Sequence, residues 1–562
     1  MVTEPTRAAQ FTRFMLGGRI SRTGRGPKHD EVAGGGDLSK IARRFGMFGA
    51  GRETAQRRWL LAALVLFLLL RIPSWFEPHW YTDEAGYANT AYLAAHGRVL
   101  YLTVWNNKPP LLFWIYDIAL SWFGPSELGL HLLSTLAGGL TLAAVWQMVR
   151  REWGGRGMGR TMVVATLLLG LPLLGAELAL PENFLIFPEA AGMLMLLRSF
   201  SERGRWRAVL ELGAGTAFGL ACLIQQTAVG PLLAMVFLVA LMPRAGSVRG
   251  AMRVLMAGAI VTGAGIAPYL FWAGPSHVYY FLVTSFEGYT SRTLPLNLLT
   301  LLPRGLAGAL LVLGVVAARK RDPRTVLIWT WLGVDLLTYV LPNRPYPFHL
   351  LPAAVPLALV VGRVPRPSLA TLRLSFAPLV AGALLSAALW GQLMATYLPI
   401  DDFYTAGRTV LYYPMFVGRA TGVVSKASYQ DFYDYRVRAE AEAGSWIRAH
   451  GLTGARAVVW SPDSWAYLLV PVHSVMPAPP IYKDFDWLGQ SGLIQRTLSE
   501  RPELILVTND ALNGYGPLQP ILTRLYTKVE TSSDGSLWLL NTDLQQVGVS
   551  RAIGATSQPS PG

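Results

Sequence analysis

Two adjacent carboxylates, Asp83 and Glu84, stand directly after the first long apolar run of the chain, in Trp80-Tyr-Thr-Asp-Glu-Ala-Gly-Tyr-Ala-Asn-Thr-Ala-Tyr-Leu; Lys108 follows on a rigid Pro109-Pro110 corner. A carboxylate near a cation, where a chain leaves a bilayer, suits transfer onto a hydroxyl: a base takes the proton and positive charge holds a departing anion such as phosphate. The pair also has a plainer use, because the helix dipole favours acidic residues in a first turn. Arg71, near the end of the apolar run, either snorkels to the interface or neutralises an anion held there. Glu177 and Glu182-Asn183 open a later apolar run, where an acid is either interfacial or faces a cavity. Arg344 and His349, in Asn343-Arg-Pro-Tyr-Pro-Phe-His-Leu-Leu-Pro, bring a further cation and a histidine to the start of another run, where a hydrogen-bonded interfacial role is also open to the histidine.

These residues need a scaffold. Thr82 is placed to cap a helix carrying Asp83 and Glu84 in its first turn; Ala85, Ala88, Ala91, Tyr92 and Ala95 recur at helical spacing, and Gly97 is a natural stop. The pattern predicts an amphipathic helix against an apolar surface. Leu111 to Phe123 is apolar but short, which suggests a helix lying in the interface with Trp114 and Trp122 at headgroup depth.

Over 562 residues, 52% are hydrophobic, 11% aromatic and only 15% charged, too apolar for a soluble protein of this size and indicative of a polytopic membrane protein. Apolar runs predict spans near 59–76, 127–149, 161–176, 184–198, 208–225, 228–242, 254–272, 296–318, 325–341, 349–362 and 374–396, about eleven transmembrane helices. The formal charge of +15 is spread in clusters between the runs, which marks topology and excludes a nucleic-acid face. Arg150, Arg151, Arg156 and Arg160, then Arg198, Arg203, Arg205 and Arg207, then Arg244, Arg249 and Arg253, then Arg319, Lys320, Arg321 and Arg324, then Arg363, Arg366 and Arg373 all fall on the side of the N-terminus. That side is therefore cytoplasmic. The loop 77–126, the turns at Gln225-Gln226 and 342–349, and the C-terminal region fall opposite.

Residues 1–58 read as a basic, largely disordered cytoplasmic tail, 59–396 as the membrane body, 397–545 as an extracytoplasmic α/β domain and 546–562 as a disordered tail. In the α/β domain, strands are predicted at 456–460, 504–508, 526–530 and 536–540, and helices at 440–450 and 493–501. The single cysteine, Cys222, lies in an apolar run and excludes an intrachain disulfide.

Asp83-Glu84-Ala-Gly-Tyr-Ala, Gly97, Lys108-Pro-Pro-Leu-Leu-Phe-Trp and Phe123-Gly124 resemble the first extracytoplasmic loop of GT-C membrane glycosyltransferases, in the branch of the protein mannosyltransferases and aminoarabinose transferases (glycosyltransferase family 39 and relatives). Pro181-Glu-Asn-Phe-Leu-Ile-Phe and the segment from Arg344 to Pro356 extend the resemblance, which covers about 59–396. It implies a GT-C-like polytopic α-helical fold and a plasma-membrane enzyme that moves a sugar from a polyprenyl-phosphate donor to an extracytoplasmic acceptor (protein, lipid or envelope glycan), with inversion. Asp83 is then the base and Glu84 its support. Lys108, helped by Arg71 or Arg344, holds the donor phosphate, and Glu182, Asn183, Gln225 and His349 line the substrate site. Glu182 stands where the family often has Asp, and Gln225-Gln226 where relatives commonly carry Lys. No cofactor is required on this reading, and a divalent cation between Asp83 and the phosphate is compatible with it. A transporter or flippase for a lipid-linked saccharide is the alternative, and would be expected to show repeated halves; no repeat is found.

Overall fold

The computed structural model of the chain describes residues 47–242, 247–285, 305, 308, 322–340, 346–363 and 406–543, apart from 471, 510, 512, 513, 515 and 533. Met1–Ala55 and Gln56–Gly562 form separate units, and the sites below belong to the second. Up to Arg363 the chain is helical: α1 (Met47–Arg71), α2 (Thr82–Ala95), α3 (Pro110–Phe123), α4 (Glu127–Glu152), α5 (Met158–Gly170), α6 (Pro181–Ser199), α7 (Gly204–Ile224), α8 (Val229–Leu241), α9 (Val248–Trp272), α10 (Pro323–Val340) and α11 (Ala354–Arg363). Among the described residues, four helical stretches are long and apolar enough to cross a membrane: Glu53–Phe76, Glu127–Glu152, Gly204–Ile224 and Val248–Trp272. The span expected at 374–396 and Arg344 lie outside the described residues, as does the span expected at 296–318 apart from residues 305 and 308.

Two expected spans are shortened by proline. α5 stops at Gly170 because Leu171, before Pro172, is extended (φ −82°, ψ 148°). The run expected at 349–362 opens as a short 3-10 turn, Pro347–Leu350, and becomes α-helical only from Ala354. In the bundle, α7 and α9 approach closely through glycine. A Cβ on Gly215 would sit 2.2 Å from the Val254 carbonyl oxygen, and one on Gly219 2.8 Å from that of Gly258.

The basic connections meet at one end. Arg324 pairs with Glu152 (2.7 Å) and donates to Ser201 (2.7 Å), Arg160 donates to the Gly362 carbonyl (2.9 Å), and Arg363 donates to Thr325 (2.7 Å) and lies over Trp153. α6 runs away from its N-terminus toward this end, so Pro181-Glu182 and the C-terminus of α7 lie at the other.

The C-terminal region carries α12 (Ala406–Ala420), α13 (Lys426–Tyr433), α14 (Arg436–Ala449), α15 (Ile481–Glu500) and a five-stranded sheet. Its strands are β1 (Arg456–Trp460), β2 (His473–Ser474), β3 (Leu504–Thr508), β4 (Tyr526–Thr531) and β5 (Gly535–Leu540), in the order β2-β1-β3-β5-β4. β1 is parallel to β2 and β3, whereas β5 is antiparallel to β3 and β4. All five residues of β3 are buried: Leu504 and Leu506 pack with Ala443 and Ile447 of α14, Ile505 and Val507 with Ile481 and Leu493 of α15. The four predicted strands are present, and the two-residue β2 is additional. α15 starts twelve residues before the predicted helix and is broken at Gly489 (φ 69°) into two pieces, the first carrying Tyr482 and Lys483.

α2 joins the two parts. Tyr81, not Thr82, holds the N-cap position, with no side-chain cap bond; the helix begins one residue earlier than the Thr-capped reading requires. Its C-terminal stop is Gly97, at φ 94°. The expected one-sided amphipathic burial is not found: Glu84 through Ala91 are all buried. The face meant for solvent is covered by the C-terminal region. Asn89 donates to the Ser464 carbonyl (2.8 Å), Arg98 to those of Met476 (3.1 Å) and Ser474 (2.5 Å), and the Trp105 amide to that of Pro477 (2.9 Å).

Candidate active site

Asp83 is half-buried, and its Oδ1 accepts a hydrogen bond from the Tyr482 hydroxyl (2.7 Å) across 399 positions of sequence. One helical turn on, Tyr87 is buried, packed edge-on against Tyr116 (5.8 Å) and covered on one face by the Lys483 ammonium (5.0 Å from the ring centre). Lys483 is 8% exposed; burial pulls its ammonium down to about 8, opposed by the attraction of Asp83 and aided by the repulsion of Lys108. Lys108 is half-buried, and among the described residues no hydrogen bond or ion pair engages its ammonium. Its backbone is fixed instead: its carbonyl accepts from the Tyr101 hydroxyl (2.7 Å) and its amide donates to the Asn106 side chain (3.3 Å). Gln226 donates to the neighbouring Asn107 carbonyl (2.5 Å) and so ties this corner to the end of α7.

A second carboxylate faces the same place. Glu182, in the first turn of α6, is buried, and its Oε1 accepts from Gln225 Nε2 (2.9 Å) and pairs with His349 Nδ1 (2.7 Å). Lys108 lies within its electrostatic reach. Three residues proposed from sequence as substrate-binding thus form one hydrogen-bonded group. Asn183 does not join them: its Nδ2 donates to the carbonyls of Gly175 (3.3 Å) and Ala176 (3.1 Å), which holds the loop before α6 in place.

Glu84 and Arg71 point elsewhere. Glu84 is fully buried, and instead of supporting Asp83 it accepts from the Ala179 amide (2.5 Å) and meets His131 Nε2 (3.3 Å). Residues i and i+1 of a helix project about 100° apart, so adjacent acids here serve different neighbours. Arg71 is 1% exposed and does not snorkel. It donates to Ser134 (2.6 Å) and Thr135 (3.2 Å) of α4, with Glu77 and Glu177 as its nearby anions. Burial raises both of these carboxyls, Glu177 to about 7. No contact connects Arg71 with Lys108. Among the described residues, no group of three His, Cys, Asp or Glu side chains is arranged to hold a metal ion.

Residues 107–272 match the family model described as dolichyl-phosphate-mannose-protein mannosyltransferase. Over 134 residues the chain is 27% identical to an uncharacterized protein of Aquifex aeolicus (strain VF5), a stretch that covers 22% of this chain and 26% of that relative. The solved structure of ArnT from Cupriavidus metallidurans bound to undecaprenyl phosphate aligns over 85% of this chain and 97% of its own, at 17% identity and TM-score 0.55. The apo form of the same protein aligns over 86% and 98%, at 17% identity and TM-score 0.53. The chain shares the fold of ArnT. Within this fold, the family match includes Lys108, Glu182, Asn183 and Gln225 and leaves Asp83, Glu84, His349, Tyr482 and Lys483 outside it. Tyr87, Tyr482 and Lys483 are the site residues that sequence reasoning missed. Pro479-Pro480 before Ile-Tyr-Lys-Asp-Phe-Asp is the available local signal, and nothing in its spacing points to Asp83.

Proposed function

We propose that the protein is an integral membrane glycosyltransferase that moves a sugar from a polyprenyl-phosphate donor to a hydroxyl of an extracytoplasmic acceptor, with inversion. The observation that carries this reading is the presence, in one site, of a half-buried Asp83 anchored through one oxygen and a half-buried Lys108 whose ammonium no hydrogen bond or ion pair engages among the described residues. The likeness in fold to ArnT, which was solved with undecaprenyl phosphate, supports a lipid-phosphate donor. Asp83 takes the proton of the acceptor hydroxyl, the oxygen attacks the anomeric carbon from the face opposite the phosphate, and the carbon–oxygen bond to phosphate breaks. The electron pair leaves with the phosphate, whose charge Lys108 holds. Phosphate is a good leaving group, so positioning supplies much of the catalysis. Glu182, fixed by Gln225 and His349, orients Lys108 and the substrate. On this reading no cofactor is needed, and a divalent ion at Asp83 is compatible with it.

Transfer from radiolabelled polyprenyl-phosphate sugars, in membranes carrying wild type or Asp83→Asn, tests the reading. Wild type is expected to yield a labelled product, and the variant to lose about two orders of magnitude of rate or more. A wild type that transfers nothing from a broad donor panel, or a variant as active as wild type, sinks it and favours a transporter of lipid-linked saccharide.

A further inference from the structure

Lys483 belongs to the C-terminal region, beyond the family match, yet its ammonium sits in the candidate active site. The segment that carries it is locked to α2. Pro480 approaches Gly86 so closely that a Cβ there would meet Pro480 Cγ at 2.7 Å, and the Trp105–Pro477 and Tyr482–Asp83 hydrogen bonds flank the contact. The ammonium itself is buried, and among the described residues it makes no hydrogen bond or ion pair; its neighbours are the faces of Tyr87 (5.0 Å) and Tyr482 (5.9 Å). A cation–π contact replaces only part of the hydration an ammonium loses on burial. Lys108, whose ammonium makes no hydrogen bond or ion pair among the described residues, repels it from across the site. Asp83 and Asp486 attract Lys483 only at a distance and leave burial the dominant effect on it, so bringing a second like charge near it does not help folding. A ligand that is itself an anion does.

We propose that Lys483 and Lys108 together form a two-cation cradle for a phosphate oxyanion, so that the C-terminal region is a working part of the donor site and not only its cover. The proposal deepens the transferase reading and rests on it. The two cations reach the anion from different elements: Lys108 from the loop before α3, Lys483 from the first piece of α15, where the adjacent Tyr482 holds Asp83. The same chemistry suits the phosphate of a lipid-linked sugar or free inorganic phosphate.

The test uses the full chain in nanodiscs, with undecaprenyl phosphate, phosphate-free undecaprenol and inorganic phosphate as probes, titrated against wild type, Lys483→Met and Lys483→Arg. Lys483→Met keeps the apolar stem and removes only the charge; its melting temperature is read alongside, and Lys483→Gln replaces it should it fail to fold. The expected result is a rise of about tenfold or more in the Kd for undecaprenyl phosphate, no change for undecaprenol, and recovery in Lys483→Arg. Should undecaprenyl phosphate binding hold while inorganic phosphate binding is lost, the cradle stands and its anion is free phosphate. Unchanged binding of both phosphates overturns the cradle; if Asp83→Asn still abolishes transfer, the transferase reading survives that failure. A wild type that binds neither phosphate overturns both.

Discussion

At Glu182 a structural role can be told apart from the proposed chemical one. Its Oε1 engages a buried group, Gln225 Nε2, and a half-buried one, His349 Nδ1, while its charge faces Lys108. Glu182→Ala leaves both groups unpaired and is expected to cost about 1–3 kcal/mol in unfolding. Glu182→Gln keeps an acceptor oxygen at the same reach and removes only the charge. Its stability is expected within about 1 kcal/mol of wild type, but its kcat/KM should fall about tenfold or more. Denaturation in detergent and transfer kinetics on the same preparations check this pair of outcomes. Full activity in the Gln variant would make Glu182 a scaffold residue. The grouping was half legible beforehand: each of Glu182, Gln225 and His349 stood out as a polar residue at the end of an apolar run. What the sequence could not supply is which of them touch, since they come from α6, the end of α7 and the turn before α11. Asn183, adjacent to Glu182 and equally conspicuous, serves the carbonyls of Gly175 and Ala176 instead.

α2 carries the site because it is clasped on both sides. The stretch Ala85 to Ala95 and the Gly97 stop made the helix and its end visible in sequence. Its burial all round was not visible, because the cover arrives from residues 464–483, whose own signals are local prolines and aromatics. The small residues on α2 are the trace of that cover: Gly86 has no room for a methyl group beside Pro480. Gly86→Ala should therefore push the segment 477–487 off the helix, break the Tyr482–Asp83 hydrogen bond and lower kcat by about tenfold or more, as misplacement of a reacting group does. Limited proteolysis is expected to cut the variant near Gly489, where α15 is already broken. Gly263→Ala, in α9 with nothing within 4 Å of the added methyl, is the matching control. It should be neutral or stabilising by about 0.4–1 kcal/mol. If Gly86→Ala behaved like the control, the clasp would have no part in the site.

At the scale of the whole chain, hydropathy and arginine placement were the legible features: the described spans follow the apolar runs, and Arg160, Arg324 and Arg363 gather at one end of the bundle. Proline decided where those runs failed, at Leu171 and before Ala354. Charges inside the fold were not legible, since burial and partners are set by tertiary packing; Arg71 is locked to α4, and Lys483, in a region that read as a separate domain, is buried in the site. That burial links stability to pH in a direction that can be worked out. The folded-state value of Lys483 is lowered to about 8 from an unfolded 10.5, so between these values the unfolded chain binds more protons than the folded one. Stability from this group rises with pH across that window, and below about pH 8 the full cost of burying the charge is present. One pK unit is worth about 1.4 kcal/mol, so the cost is about 3 kcal/mol. Lys483→Met removes it. In detergent, without phosphate, the variant is expected to melt above wild type at pH 7, with the gap shrinking from about pH 8 and closing near pH 10.5. A gap that stayed constant across this range would show that the ammonium is not buried in solution, and Lys483 would lose its place in the site.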